Sequence, residues 1–297
     1  MPAALRRRHV LLLAVLAVTA AGMVLAPGAM ASAITLQHGG SPNADRINSL
    51  YVIALVLGLV VFLGVEGALL YSIVKFRAKR GAVAAQIRGN TPLEIGWTVG
   101  AAVILVILSV ITFAKLGAIR DPENSGPNGL RASDGGVLYA TSEKRLPPNG
   151  KSLNICINGQ QYVWRFTYNV GCNATNPLDA VFSYEEMVVP TDTTVTLDIV
   201  SQDVAHSWWI PQLGGKFDAV PGYTNHTWFK IPKPGVYAGQ CAELCGRNHA
   251  NMVARVRAVP PAQFETWLSD QKLAIQQADQ AAAVSRQRLN ANPNANP

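Results

Sequence analysis

Charge is scarce in this chain of 297 residues: Asp, Glu, Lys and Arg together make up 14% of it, against 49% hydrophobic residues. Soluble domains average about a quarter charged residues, so the deficit argues for membrane segments. The string C-x-x-C-H occurs nowhere, which excludes covalent haem attachment of that kind. No repeat with a period of 20 to 50 residues is present, so a solenoid or array is not expected. Between residues 150 and 260 no stretch offers a capped helix of ten residues.

The apolar residues fall into runs. Arg6, Arg7 and Arg8 precede an apolar run from Val10 to Leu25 and a small-residue site near Ala29 and Ala31, the pattern of a secretory signal over 1–31. The run is shorter than the ~20 residues a bilayer needs, so cleavage near Ser32 is expected rather than a first membrane helix. Tyr51 to Val74, interrupted only by Glu66, and Ile95 to Ala114, which carries no charge, are long enough to span. Transmembrane helices are therefore predicted over about 49–76 and 94–116, within an N-terminal segment of 32–117. Lys75, Arg77, Lys79, Arg80 and Arg88 lie between them, which makes that short loop cytoplasmic and puts the remainder on the outer face of a bacterial inner membrane.

The formal charge of +7 resolves by region. Residues 1–31 carry three Arg, 32–117 carry seven basic and three acidic residues, and 118–297 balance at fifteen of each. The excess serves membrane topology, the outer part is neutral, and nucleic acid is disfavoured as a partner.

Residues 118–150 read as a linker, with the turn-forming strings "DPENSGPNG" and "RLPPNG". "LNICINGQQYVWRFTYNV", "EEMVVPTDTTVTLDIVS", "TNHTWFKIP" and "NMVARVRAVP" read as strands, rich in Val, Ile, Thr and aromatics. Residues 151–260 thus predict an all-β sandwich or barrel, and the fold class is a two-helix membrane hairpin plus that domain. After Pro260 and Pro261 a helix is expected, with Phe264, Trp267, Leu268 and Ile275 toward the sandwich. The low-complexity "LNANPNANP" closes the 261–297 segment and reads as disordered.

One window concentrates chemistry: "QCAELCGRNHANM" holds Cys241, Glu243, Cys245, His249 and Met252. The spacings would fit one helix face, but Gly246, Asn248 and Asn251 are poor helix formers, so a loop between strands is expected. A disulfide between Cys241 and Cys245 would leave His249 and Met252 unexplained. Structural zinc has no use for Met, whereas thiolate, imidazole and thioether together suit copper. A mononuclear blue-copper site uses a single Cys, so two thiolates point instead to a bridged pair of copper ions. The second imidazole must come from elsewhere, and His206 in "SQDVAHSWWIP" is the candidate; His9, His38 and His226 are less suited by position.

C-x-E-x-C-x-x-x-H-x-x-M preceded by D-V-x-H-S-W resembles subunit 2 of the haem-copper cytochrome c oxidases. The resemblance implies a cupredoxin-like domain with a dinuclear copper A centre, for which His206, Cys241, Cys245, His249 and Met252 supply side chains and Glu243 a carbonyl. It further implies that the Glu243 carboxylate reaches magnesium at the interface with subunit 1. Electrons would pass from cytochrome c through this subunit to a haem in subunit 1, where oxygen is reduced with proton pumping; subunit 3 is a further expected partner. "GGKFDAVPG" resembles a family segment with Asp218 near the subunit 1 interface, and Glu94 before Trp97 resembles the mouth of a proton path. An ordinary carboxylate at the helix end is the alternative for Glu94. Glu66 is assigned to the subunit 1 interface without a role.

Tyr162 in "GQQYVWRF" stands where the family usually has an electron-accepting tryptophan, while Trp164 keeps the second aromatic. Asp203, Glu185 and Glu186 could form an acidic docking patch. Cys156 and Cys172 lie outside the motif; on one straight strand they would stand ~50 Å apart, so a bridge requires the chain to fold back. Other functions compatible with the ligand set are the copper A subunit of a nitric oxide reductase and a copper-binding assembly protein. A quinol oxidase subunit lacks such ligands, and a nitrous oxide reductase needs a propeller for which there is no room.

Overall fold

A computed structural model describes residues 36–77, 83, 86–130, 146–169, 171–172 and 180–291. The proposed signal segment 1–31 and the last six residues lie outside these. Among the described residues two long helices come first, α1 (Pro42–Lys75) and α2 (Thr91–Arg120), both long and apolar enough to cross a membrane. Each outruns its expected span, because hydropathy detects the apolar centre while polar ends such as Asn43–Arg46 and Lys115–Arg120 continue the same hydrogen-bonded turns.

Ten strands follow: β1 (Leu153–Gln160), β2 (Val163–Tyr168), β3 (Phe182–Tyr184), β4 (Glu186–Pro190), β5 (Thr194–Ser201), β6 (His206–Trp209), β7 (Phe217–Ala219), β8 (Asn225–Lys230), β9 (Gly235–Cys241) and β10 (Val253–Val259). They form two five-stranded sheets, ordered β3-β2-β1-β5-β8 and β4-β10-β9-β6-β7. Leu153, Ile155 and Ile157 alternate with Asn154 and Cys156 along β1, and the aliphatic set enters the core shared with Leu197, Ile199, Val256 and Phe229. This is a β-sandwich, as expected. Two stretches read as single strands are each two. "LNICINGQQYVWRFTYNV" turns at Gln161–Tyr162 into the β1–β2 hairpin. "EEMVVPTDTTVTLDIVS" turns at Thr191–Thr193, sending β4 to one sheet and β5 to the other.

The β1–β2 reversal is the fold-back that a Cys156–Cys172 bridge requires. The two residues are disulfide-bonded, with Cα atoms 5.1 Å apart. The first part of the segment read as linker lies on the sandwich: Thr194 Oγ1 donates to the Glu123 carbonyl at 2.6 Å, Thr194 N to Ser125 Oγ at 3.0 Å, and Leu130 is buried in the core. Trp228 Nε1 donates to the carbonyl of Ile119 at 3.0 Å, and Asn43 Nδ2 to the carbonyl of Trp228 at 2.7 Å, so β8 holds the start of α1 and the end of α2. Glu123 binds Arg46 and Lys230 at the same joint. Burial alone would raise its carboxyl, but hydrogen bonds from Lys230 and Arg46 outweigh that and hold it below the usual range.

Helix α3 (Pro261–Ala291) packs Phe264, Trp267 and Leu268 against the sandwich, with Tyr168 edge-on to Trp267 at 5.1 Å. Ile275 is half-buried, and the helix runs through Leu289 and Asn290, into the segment expected to be disordered.

Candidate metal centre

Three adjacent strands of the second sheet converge at one end of the sandwich. His206 opens β6, Cys241 closes β9, and Met252 immediately precedes β10. Between β9 and β10 the chain forms a loop with one short 3-10 turn at His249–Asn251, not a helix face. Cys241 N donates to the Met252 carbonyl at 2.9 Å, and Ala242 N to the Ser207 carbonyl at 2.8 Å, which close the loop at its base. Gly246 has φ +129°, a conformation that L side chains rarely adopt, at the point where the loop reverses.

The six residues expected to act together are within reach of one another. The Cys241 and Cys245 sulfurs are 3.9 Å apart and both residues are unbonded and buried. His206 Nδ1 lies 3.9 Å from Cys241 Sγ, and His249 Nδ1 3.5 Å from Cys245 Sγ. Met252 Sδ lies 3.9 Å from Cys245 Sγ, and Cys241 Sγ donates to the Glu243 carbonyl at 3.3 Å. Ligand atoms of His206, Cys241 and Cys245 fall within 4.8 Å of one another. Soft sulfur and imidazole donors, buried and converging, fit copper better than magnesium or calcium, which want oxygen. Burial first, and the adjacent Cys241 second, push the Cys245 thiol up to about 11. Two neighbouring thiolates need positive charge beside them, and a metal ion supplies it.

His206 is orientated from behind. Its Nε2 donates to Asp203 Oδ1 at 2.9 Å, which leaves Nδ1 directed at the thiols. Burial would raise the Asp203 carboxyl, but hydrogen bonds from Gln161 N, His206 and Val204 N outweigh it and hold the group low. Asp203 therefore already has inward partners, and Glu186 is paired with Arg257 at 2.9 Å. Of the three acidic residues considered for docking, Glu185 is exposed and has no ion pair among the described residues.

The two aromatics differ in position. Tyr162 is half-buried on the β1–β2 turn, and a Cβ on Gly246 would lie 2.6 Å from its hydroxyl. Trp164 is fully buried and meets the His206 ring edge-on at 5.8 Å, so it lies beneath the site and offers no docking surface. Glu243 and Asp218 are exposed, as a contact with another subunit would require. Glu94 accepts from Asn90 N at 3.3 Å while Asn90 Oδ1 accepts from Leu93 N at 3.2 Å, a reciprocal cap at the start of α2. Glu66 lies inside α1. Sequence reasoning missed Gln161 and the inward role of Asp203; adjacency of Gln161 to Tyr162 was the only signal for the former.

The family described as "Cytochrome C oxidase subunit II, periplasmic domain" matches residues 173–259, and "Cytochrome C oxidase subunit II, transmembrane domain" matches residues 29–114. All six candidate ligands fall in the first match; the β1–β2 turn precedes it. A protein of Alkalihalophilus pseudofirmus described as "Cytochrome c oxidase subunit 2" is 30% identical over 245 residues, covering 82% of this chain and 63% of that protein. The Cereibacter sphaeroides protein of the same description is 30% identical over 306 residues, covering 88% and 92%. Among solved structures, the periplasmic domain of subunit II of cytochrome oxidase from Bradyrhizobium japonicum is 31% identical with a TM-score of 0.38, covering 41% of this chain and 95% of that one.

Proposed function

This chain belongs to the cytochrome c oxidase subunit II family, and from that premise we propose that it is the electron-accepting subunit of a membrane terminal oxidase. The observation that carries the reading is the convergence of two thiols, two imidazole Nδ1 atoms, a thioether and a carbonyl at one end of the sandwich. His206, Cys241, Cys245, His249, Met252 and the Glu243 carbonyl would hold two copper ions. Bound there, a copper pair would supply a one-electron couple.

The chain's own residues do the remaining work. The β6 and β9 strands carry His206 and Cys241 on a hydrogen-bonded sheet, and β9 and β10 anchor the two ends of the loop that carries the other donors. Asp203 keeps the His206 Nε2 proton in place and leaves Nδ1 to face the thiols. Burial of both thiols and Met252 excludes water and leaves no room for a substrate. The subunit on this reading conducts electrons, and oxygen reduction with proton pumping belongs to subunit 1. Tyr162, on the loop's outer side, is the proposed point of electron uptake from cytochrome c, with Trp164 beneath it. The exposed Glu243 carboxylate is proposed to reach a magnesium ion at the subunit 1 interface, where Asp218 also lies, and Glu94 to stand at a proton path. Subunit 3 is a further proposed partner, and the copper domain is proposed to lie on the periplasmic face.

Protein-film voltammetry on the copper-loaded full-length chain tests the proposal. A reversible one-electron couple is expected; labile Cu(I) with no such couple would replace it with a copper-binding assembly role.

A further inference from the structure

Gln161 sits where two hydrogen bonds meet. Its side-chain Nε2 donates to the Cys245 carbonyl at 2.6 Å, and its backbone N–H donates to Asp203 Oδ2 at 2.7 Å. Asp203 Oδ1 is in turn bound to His206 Nε2. One residue thus connects the loop that carries Cys245 with the residue that orientates His206. The β6–β9 ladder joins these segments at Trp208 and Cys241, but Cys245 lies beyond it, so the loop depends on other contacts for its placement. The turn and the loop are also in close contact: a Cβ on Gly246 would lie 2.6 Å from Tyr162 Oη and 2.9 Å from Gln161 Nε2. No side chain could be interposed there.

We infer that Gln161 is a positioning residue whose amide clamps the Tyr162 turn onto the Cys245 peptide, holding the two halves of the donor set and the outer aromatic as one unit. A glutamine side chain is flexible and costs rotamer entropy to order, so a pure filler has little reason to be held at 2.6 Å from a carbonyl. The donor is what matters. A carboxylate of the same shape would face the Cys245 carbonyl acceptor to acceptor. The functional consequence rests on the electron-uptake reading above; the clamp itself does not.

The test uses the full-length chain in detergent, with Gln161→Glu, Gln161→Ala and Gln161→Asn. In the copper-free chain, Cys241 and Cys245 are buried and unbonded while Cys156 and Cys172 are bonded, so a maleimide reports the loop alone. Labelling is expected to accelerate about five- to tenfold in both the Glu and Ala variants, the equivalent of one lost hydrogen bond, and in the same direction for the gentler Asn variant. With copper bound, reduction by a c-type haem protein should slow while reduction by dithionite is unchanged. A filler role predicts instead that Gln161→Glu matches the wild type, and that result, in either Glu or Asn, would overturn the clamp. A wild-type chain that labels slowly but takes up no copper would overturn the electron-uptake reading and leave the clamp standing.

Discussion

The sandwich carries two cysteine pairs with opposite fates. Cys156 and Cys172, sixteen residues apart, are bonded; Cys241 and Cys245, four residues apart, are not, although their sulfurs stand 3.9 Å apart. The surroundings account for the difference. Cys156 pairs across the sheet with Thr167 and Asp198, and the Cys172 sulfur lies 3.3 Å from the Asp198 carbonyl. The other pair has two imidazoles and a thioether within 4 Å of a sulfur. One pair ties a hairpin to the segment that follows it, and the other is proposed to contribute to a metal-binding donor set. Proximity in sequence is no guide to which is which.

The largest expected effect comes from the unbonded pair. Cys241→Ser and Cys245→Ser should each abolish two-copper uptake, read by metal analysis, with the unfolding midpoint of the copper-free chain little changed. Breaking the bonded pair should do the reverse. Cys156→Ser with Cys172→Ser is expected to cost about 3 kcal/mol in urea unfolding, the figure for a loop of that length, while two coppers still bind. If both pairs turned out to control copper uptake, the division between clip and ligand would fail.

A subtler test lies behind His206. Asp203→Asn keeps the shape but removes the charge that anchors Nε2, and copper affinity should fall about ten- to a hundredfold, measured by competition with a chelator. The smallest effect belongs to the joint with the helices. Glu123 is held low by Lys230 and Arg46 against its burial, so its stabilisation is present above the ordinary carboxylate range and lost as pH falls through its lowered value. It is about a third exposed, so Glu123→Gln should cost under about 1 kcal/mol at pH 7. The difference from wild type should vanish in acid unfolding curves, and copper content should not change.

The membrane helices were legible because two apolar runs, one broken only by Glu66 and the other free of charge, are long enough for a bilayer; their ends were not, because polar residues can continue a helix into the headgroup layer. The strands of eight residues could be read from their alternation, whereas β3 and β7, of three residues each, are too short to show a period. The β1–β2 turn at Gln161–Tyr162 carries no Asn-Gly or Pro-Gly signal, which concealed both the hairpin and the Cys156–Cys172 bridge. The loop donors were readable because they crowd into one window. His206 came from its surrounding motif. Gln161 makes its two hydrogen bonds to residues 84 and 42 positions away, which no local pattern encodes, whereas Asp203 meets His206 only three residues on, within the D-V-x-H string.

On the proposed reading, Cys241 and Cys245 would help to hold two copper ions that together carry one electron. Metal analysis combined with electron paramagnetic resonance on the copper-loaded full-length chain tests it most directly. Two coppers per chain and a hyperfine pattern from one electron spread over two copper nuclei are predicted. One copper with a four-line pattern, or a colourless zinc protein, would contradict it.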